Sequence, residues 1–72
     1  MDILKTFAYN VRKHRLACGL SQEKLAEHSG LHRTYISAIE RCQRSIALEN
    51  VQKLADALQV ETYQLFIESK IE

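Results

Sequence analysis

Apolar side chains recur along this chain at the three- and four-residue intervals of an α-helix, and turn signals cut the recurrence into short lengths. Leu4, Phe7, Val11, His14 and Cys18 fall on one face of a first helix, with Gly19 just past its end, where glycine takes the left-handed backbone that closes a helix. Ser21 opens a second helix. Its hydroxyl can cap the first turn, Gln22 and Glu23 place polar and acidic groups near the positive end of the dipole, and Leu25 and Ala26 supply the apolar contacts. Ser29, Gly30 and Leu31 make a short turn, and Tyr35, Ile36 and Ile39 then carry a third helix from near His32 to about Glu40. Cys42 to Ala47 reads as a loop with Ile46 tucked inward. Leu48, Val51, Leu54, Ala55 and Leu58 mark a fourth helix, and a fifth is predicted from Glu61 or Thr62 toward Ile71, carrying Tyr63, Leu65, Phe66 and Ile67.

Composition supports an all-α fold, a compact five-helix domain over residues 1–72. There is no proline, and Gly19 and Gly30 are the two glycines, which disfavours a turn-rich β architecture. With 46% hydrophobic and 26% charged residues the chain is expected to fold, although a chain of this length buries only about 60% of its unfolded surface and needs a tight helical core or a partner. Apolar runs of two or three residues fall far short of the roughly 20 that cross a membrane, and Met1-Asp2-Ile3-Leu4-Lys5 lacks the basic and apolar blocks of a secretory leader. A soluble, cytoplasmic protein with no membrane partner is expected.

The formal charge of +1 hides an asymmetry. Residues 1–44 hold eight Lys/Arg against four Asp/Glu, or +4, and residues 45–72 hold two against five, or −3. A basic N-terminal part can meet a polyanion while the acidic C-terminal part faces elsewhere. The second and third helices, two turns each and joined through Gly30, have the layout of a helix-turn-helix. On a third helix starting near His32, Arg33, Thr34 and Ser37 share an exposed face while Ile36 and Ile39 turn inward. That face suits DNA. An arginine fork can take O6 and N7 of guanine together, and Thr and Ser offer hydroxyl or methyl contacts.

The run Gly19 to Arg41, with Leu20-Ser21-Gln22, Leu25-Ala26, Ser29-Gly30, Tyr35-Ile36-Ser37 and Ile39-Glu40-Arg41 in register, resembles the Cro/C1-type helix-turn-helix family of phage repressors and bacterial regulators. The likeness extends over residues 4 to 66 and implies a lambda-repressor-like DNA-binding fold. His32-Arg33-Thr34-Tyr35-Ile36-Ser37 looks most like the restriction–modification controller proteins, small dimeric regulators of their own operons. The resemblance puts base contacts on Arg33, Thr34 and Ser37, with short Ala38 beside them. Ser21 and Gln22 lie at the start of the second helix, where free N–H groups and the dipole can hold a phosphate, and the resemblance gives Gln22 the same contact. Tyr35, Arg41 and Arg44 flank the reading face and are expected to clamp the DNA backbone. Arg15 and Glu40 match positions that pair the first helix with the end of the recognition helix. Cys42 stands where relatives often have glycine, so the loop after that helix is expected to close differently.

These readings lead to a sequence-specific transcription regulator that binds a (pseudo)palindromic double-stranded DNA operator as a homodimer, since one such module reads only a few base pairs. Tyr63, Phe66, Ile67 and Ile71 are the expected dimer contact. The alternative is an antitoxin-type protein-interaction module with autoregulatory DNA binding. Nothing points to catalysis: there is no nucleophile elbow and no phosphate-cradling glycine loop. His14 and Cys18 have ligand-like spacing but no second ligand pair, so no metal, cofactor or small-molecule ligand is expected. A reducing compartment disfavours a Cys18–Cys42 disulfide, and His14 is expected to be a histidine at the edge of the core.

Overall fold

A computed structural model describes residues 1–68. Helix α1 spans Ile3–Ala17, α2 Gln22–Ser29, α3 Arg33–Glu40 and α4 Leu48–Leu58, and a 3-10 helix follows at Thr62–Phe66. No strand occurs among the described residues, and none of their helices is long and apolar enough to cross a membrane.

The caps explain where the helices begin and stop. Asp2 Oδ1 accepts from the Lys5 N–H at 3.2 Å, and Ser21 Oγ accepts from the Lys24 N–H at 3.0 Å, so two helices start on side-chain caps. At the end of α1 the left-handed Gly19 donates to the Leu16 carbonyl and Leu20 donates to that of Arg15, a closed Schellman turn. The same pair of bonds closes α3, from Cys42 to Ile39 and from Gln43 to Ala38, with Cys42 at φ 59°. The expected departure in this loop is therefore absent. Cysteine takes up the glycine geometry, because two otherwise orphaned carbonyls are satisfied only if the backbone turns left-handed there.

Phe7, Val11, Leu25, Ile36, Ile39, Val51, Leu54, Ala55, Leu58 and Leu65 form the core, so every element contributes to it. On α1 the buried stripe is Phe7, Ala8, Val11 and Arg15, with Asn10 beside it, whereas Leu4 is 38% exposed, His14 is half-buried and Cys18 lies open to solvent. Leu4, Val11 and Cys18 are spaced by seven residues. A straight helix of 3.6 residues per turn drifts about 20° per heptad, so the ends of such a row rotate off the contact face.

The fifth element differs most from expectation. It is a 3-10 helix of five residues, and at Ile67 the backbone is already extended at φ −76°, ψ 122°. Asn10 supplies the reason. Its buried amide donates to the carbonyls of Leu65 at 3.1 Å and Ile67 at 2.9 Å, as well as to Thr6 at 3.0 Å, capturing acceptors that a continuing helix would use. The helix predicted toward Ile71 ends at Phe66, and Ile71 itself lies outside the described residues.

Candidate nucleic-acid interface

Helix α3 is amphipathic. Ile36 and Ile39 anchor it in the core, Arg33 and Thr34 project to solvent from its first turn, and Ser37 is half-buried one turn further on. Its angle is set from the opposite end. The Glu40 carboxylate, 3% exposed, accepts from Arg15 Nε at 2.7 Å and Arg15 Nη2 at 2.9 Å, a bidentate pair. The third Arg15 donor goes to the Leu20 carbonyl at 2.9 Å, so the buried guanidinium is held on several sides. Gln22 Nε2 donates to the same carboxylate at 3.1 Å, and Arg12 Nη1 lies 3.7 Å from it. The pairing expected of Arg15 and Glu40 thus exists and joins α1, α2 and α3. The hydrogen bonds to Glu40 hold the Arg15 pKa above its ordinary value, with desolvation opposing and the carboxylate charge assisting.

The remaining candidate residues form a rim around α3. Ser21 and Gln22 sit at the start of α2, where free backbone N–H groups and the helix dipole favour an anion. Arg41 folds back along its helix, donating to Ser37 Oγ, and its Nε donates to Gln43 Oε1 at 3.1 Å. Arg44 places its guanidinium 5.1 Å from the centroid of the Tyr35 ring, a cation–π contact that brings these two together. A groove of about 380 Å³ opens at this point, walled by Leu31, His32, Thr34, Tyr35, Arg44 and Asn50.

Sequence reasoning passed over several members of this set. Asn50 donates to the Tyr35 hydroxyl at 3.0 Å, Gln43 steadies Arg41, and Arg12 reaches Glu40. A polar residue beside the apolar row of α4 was a visible signal for Asn50. Nothing in the sequence pointed to its partner.

Tyr63, Phe66 and Ile67 belong to a separate region, since the 3-10 helix packs mainly on α1 and α4. Tyr63 is 66% and Ile67 52% exposed, whereas Phe66 is half-buried against Phe7, with ring centroids 5.2 Å apart. Leu48, first in the apolar row that marks α4, is 83% exposed and lines an apolar groove of about 280 Å³ with Ile3, Leu4, Phe7, Ile46 and Phe66. Both cysteines are free thiols, and no group of three or more His, Cys, Asp or Glu side chains among the described residues is arranged to hold a metal ion.

The helix-turn-helix family model matches residues 11–65. The chain belongs to the helix-turn-helix family. This helix-turn-helix protein is 50% identical over 66 residues to a hypothetical transcription factor of Neisseria meningitidis serogroup B; the match covers 92% of this chain and 62% of that protein. The chain thus spans less than two thirds of that relative's length. The crystal structure of the Neisseria factor superposes with a TM-score of 0.92, at 48% identity, covering 96% of this chain and 79% of that one. Control protein C.SmaI of Serratia marcescens is 49% identical over 65 residues, covering 90% of this chain and 77% of that protein. The controller protein C.Esp1396I, in a crystal structure of its tetramer with its natural 35 base-pair operator, superposes with a TM-score of 0.83 at 35% identity, covering 92% of this chain and 87% of that one. The protein is a DNA-binding helix-turn-helix regulator related to restriction–modification controller proteins.

Proposed function

We propose that the protein is a cytoplasmic controller of a restriction–modification operon that binds a (pseudo)palindromic operator as a homodimer. Arg33, Thr34 and Ser37 contact bases in the major groove. Ser21, Gln22, Tyr35, Arg41 and Arg44 hold the sugar–phosphate backbone on either side. The observation that carries this reading is the exposed start of α3, where Arg33 and Thr34 stand on a helix whose far end is locked by Glu40. A recognition helix needs both properties: free side chains at its leading end and a fixed angle to the rest of the protein. The operator complex of C.Esp1396I supports the reading through a related fold.

The second copy meets the first through the region of the 3-10 helix. Tyr63 and Ile67 supply exposed apolar surface, Phe66 contributes the part not spent on Phe7, and exposed Leu48 enlarges the patch.

A footprint on the DNA upstream of the protein's own reading frame tests the proposal. Two protected half-sites, related by a two-fold axis about one helical turn apart, are expected. Equal affinity for that DNA and for random duplex would overturn it. Arg33→Ala is expected to cost about 1–3 kcal/mol at one base-pair position and to leave random-duplex binding nearly unchanged.

A further inference from the structure

We infer that Asn50 is a positioning residue for DNA binding, one that turns the Tyr35 hydroxyl into an outward-pointing hydrogen-bond donor; this rests on the DNA-binding reading above. Asn50 lies half-buried in the first turn of α4 and gives its Nδ2 proton to the Tyr35 oxygen at 3.0 Å. A phenol carries one proton of its own. With an acceptor site of the oxygen occupied by the amide, that proton is left for another partner, and the hydroxyl has no further hydrogen bond among the described residues. The space in front of it is the groove lined by Leu31, His32, Thr34 and Arg44. Arg44 lies over the ring, its guanidinium carbon 5.1 Å from the centroid, and brings positive charge to the same groove.

The groove therefore offers a donor next to a cation, and an acceptor on DNA is what it fits. Phosphate oxygens and the acceptor edges of guanine and thymine share that chemistry, whereas the exocyclic amines of adenine and cytosine oppose it. Neither Tyr35 nor Arg44 alone fixes the polarity. It depends on which group Asn50 presents, because an acceptor at that place would draw the phenol proton inward.

Asn50→Asp makes that reversal at constant shape. Affinities for the operator and for a shuffled duplex of equal length are measured for the wild type, Asn50→Asp, Tyr35→Phe and the double variant. In the presence of Tyr35, Asn50→Asp is expected to weaken operator binding by roughly tenfold beyond its effect in the Tyr35→Phe background, which carries the charge repulsion alone. A phosphate acceptor makes the extra loss equal on both duplexes, and a base acceptor confines it to the operator. Asn50→Leu, uncharged, repeats the cycle should the aspartate variant fold poorly, with a coupling of roughly threefold expected. The same cost in both backgrounds would overturn the role of Asn50 and leave the DNA reading intact. A wild-type protein that binds neither duplex would overturn both.

Discussion

Cys42 occupies a backbone conformation that L-residues avoid, at φ 59°, so that its own N–H and that of Gln43 can close the end of α3. The left-handed backbone costs a residue with a Cβ about 1 kcal/mol, and the Cys42 thiol offers little in return beyond a weak approach of 3.8 Å to the Leu4 carbonyl. Cys42→Gly is expected to stabilise the fold by roughly 0.5–1 kcal/mol, seen as a higher urea midpoint at unchanged slope. A lower midpoint would show that the contact with Leu4 outweighs the strain. The sequence marked this position through the glycine of relatives but not its geometry, because the demand for a left-handed residue comes from carbonyls at Ala38 and Ile39. His14 is a second residue whose setting matters. Burial, and then the charge of Lys13, depress its pKa below the ordinary 6.5. The unfolded chain therefore takes the proton first, and stability present above about pH 6.5 is lost as pH falls toward the lower folded value. His14→Gln is expected to flatten the melting temperature against pH across that window while leaving it similar at pH 8. Parallel wild-type and variant curves would contradict this.

Helix α3 matters to function only if its angle is fixed, and one carboxylate does much of that work. Glu40 receives both prongs of Arg15 and the amide of Gln22, tying three helices to the end of the reading helix. Arg15, 6% exposed, cannot regain water without opening the fold, so Glu40→Ala leaves an unpaired buried cation. A cost of about 3–5 kcal/mol is expected, measurable by urea denaturation, and replacing Arg15 by Met in the same chain should recover much of it. If Glu40→Ala cost less than about 1 kcal/mol, the network would be ornamental to the fold. Helices α1 to α4 were legible because each buries a stripe with period 3.6, and that stripe depends on neighbouring residues alone. The fifth element was not. A 3-10 turn has a different period, and its end is set by Asn10, which reaches carbonyls 55 and 57 residues away along the chain. The site divides the same way. Arg33, Thr34 and Ser37 were legible from their phase on one helix, whereas the link from Asn50 to Tyr35 joins two elements and had no local signature.

For the whole molecule, the formal charge of +1 conceals a basic part and an acidic part, and the function proposed here divides along the same boundary. Arg33, Arg41 and Arg44 are the candidate cations around α3, whereas the acidic remainder of the chain contributes α4 and the 3-10 helix, with exposed Leu48, Tyr63 and Ile67. Ile67→Lys places a charge on the proposed dimer surface without emptying the core, since the side chain is already half outside. Sedimentation is expected to show a monomer at concentrations where the wild type is dimeric, and operator affinity should fall with it. A variant that stayed dimeric would move the contact elsewhere. The charge distribution also sets the response to salt. Each phosphate neutralised contributes about −0.9 to the slope of log affinity against log salt, so three arginines in each of two protomers give a slope of about −5 if all engage phosphate, and less if Arg33 is spent on a base. Arg44→Ala removes two cations from the bound dimer and is expected to flatten the slope by roughly 1.8, with operator and random duplex weakened alike. An unchanged slope would mean that Arg44 serves the Tyr35 ring rather than the DNA backbone, and that the basic part of the chain engages fewer phosphates than its charge suggests.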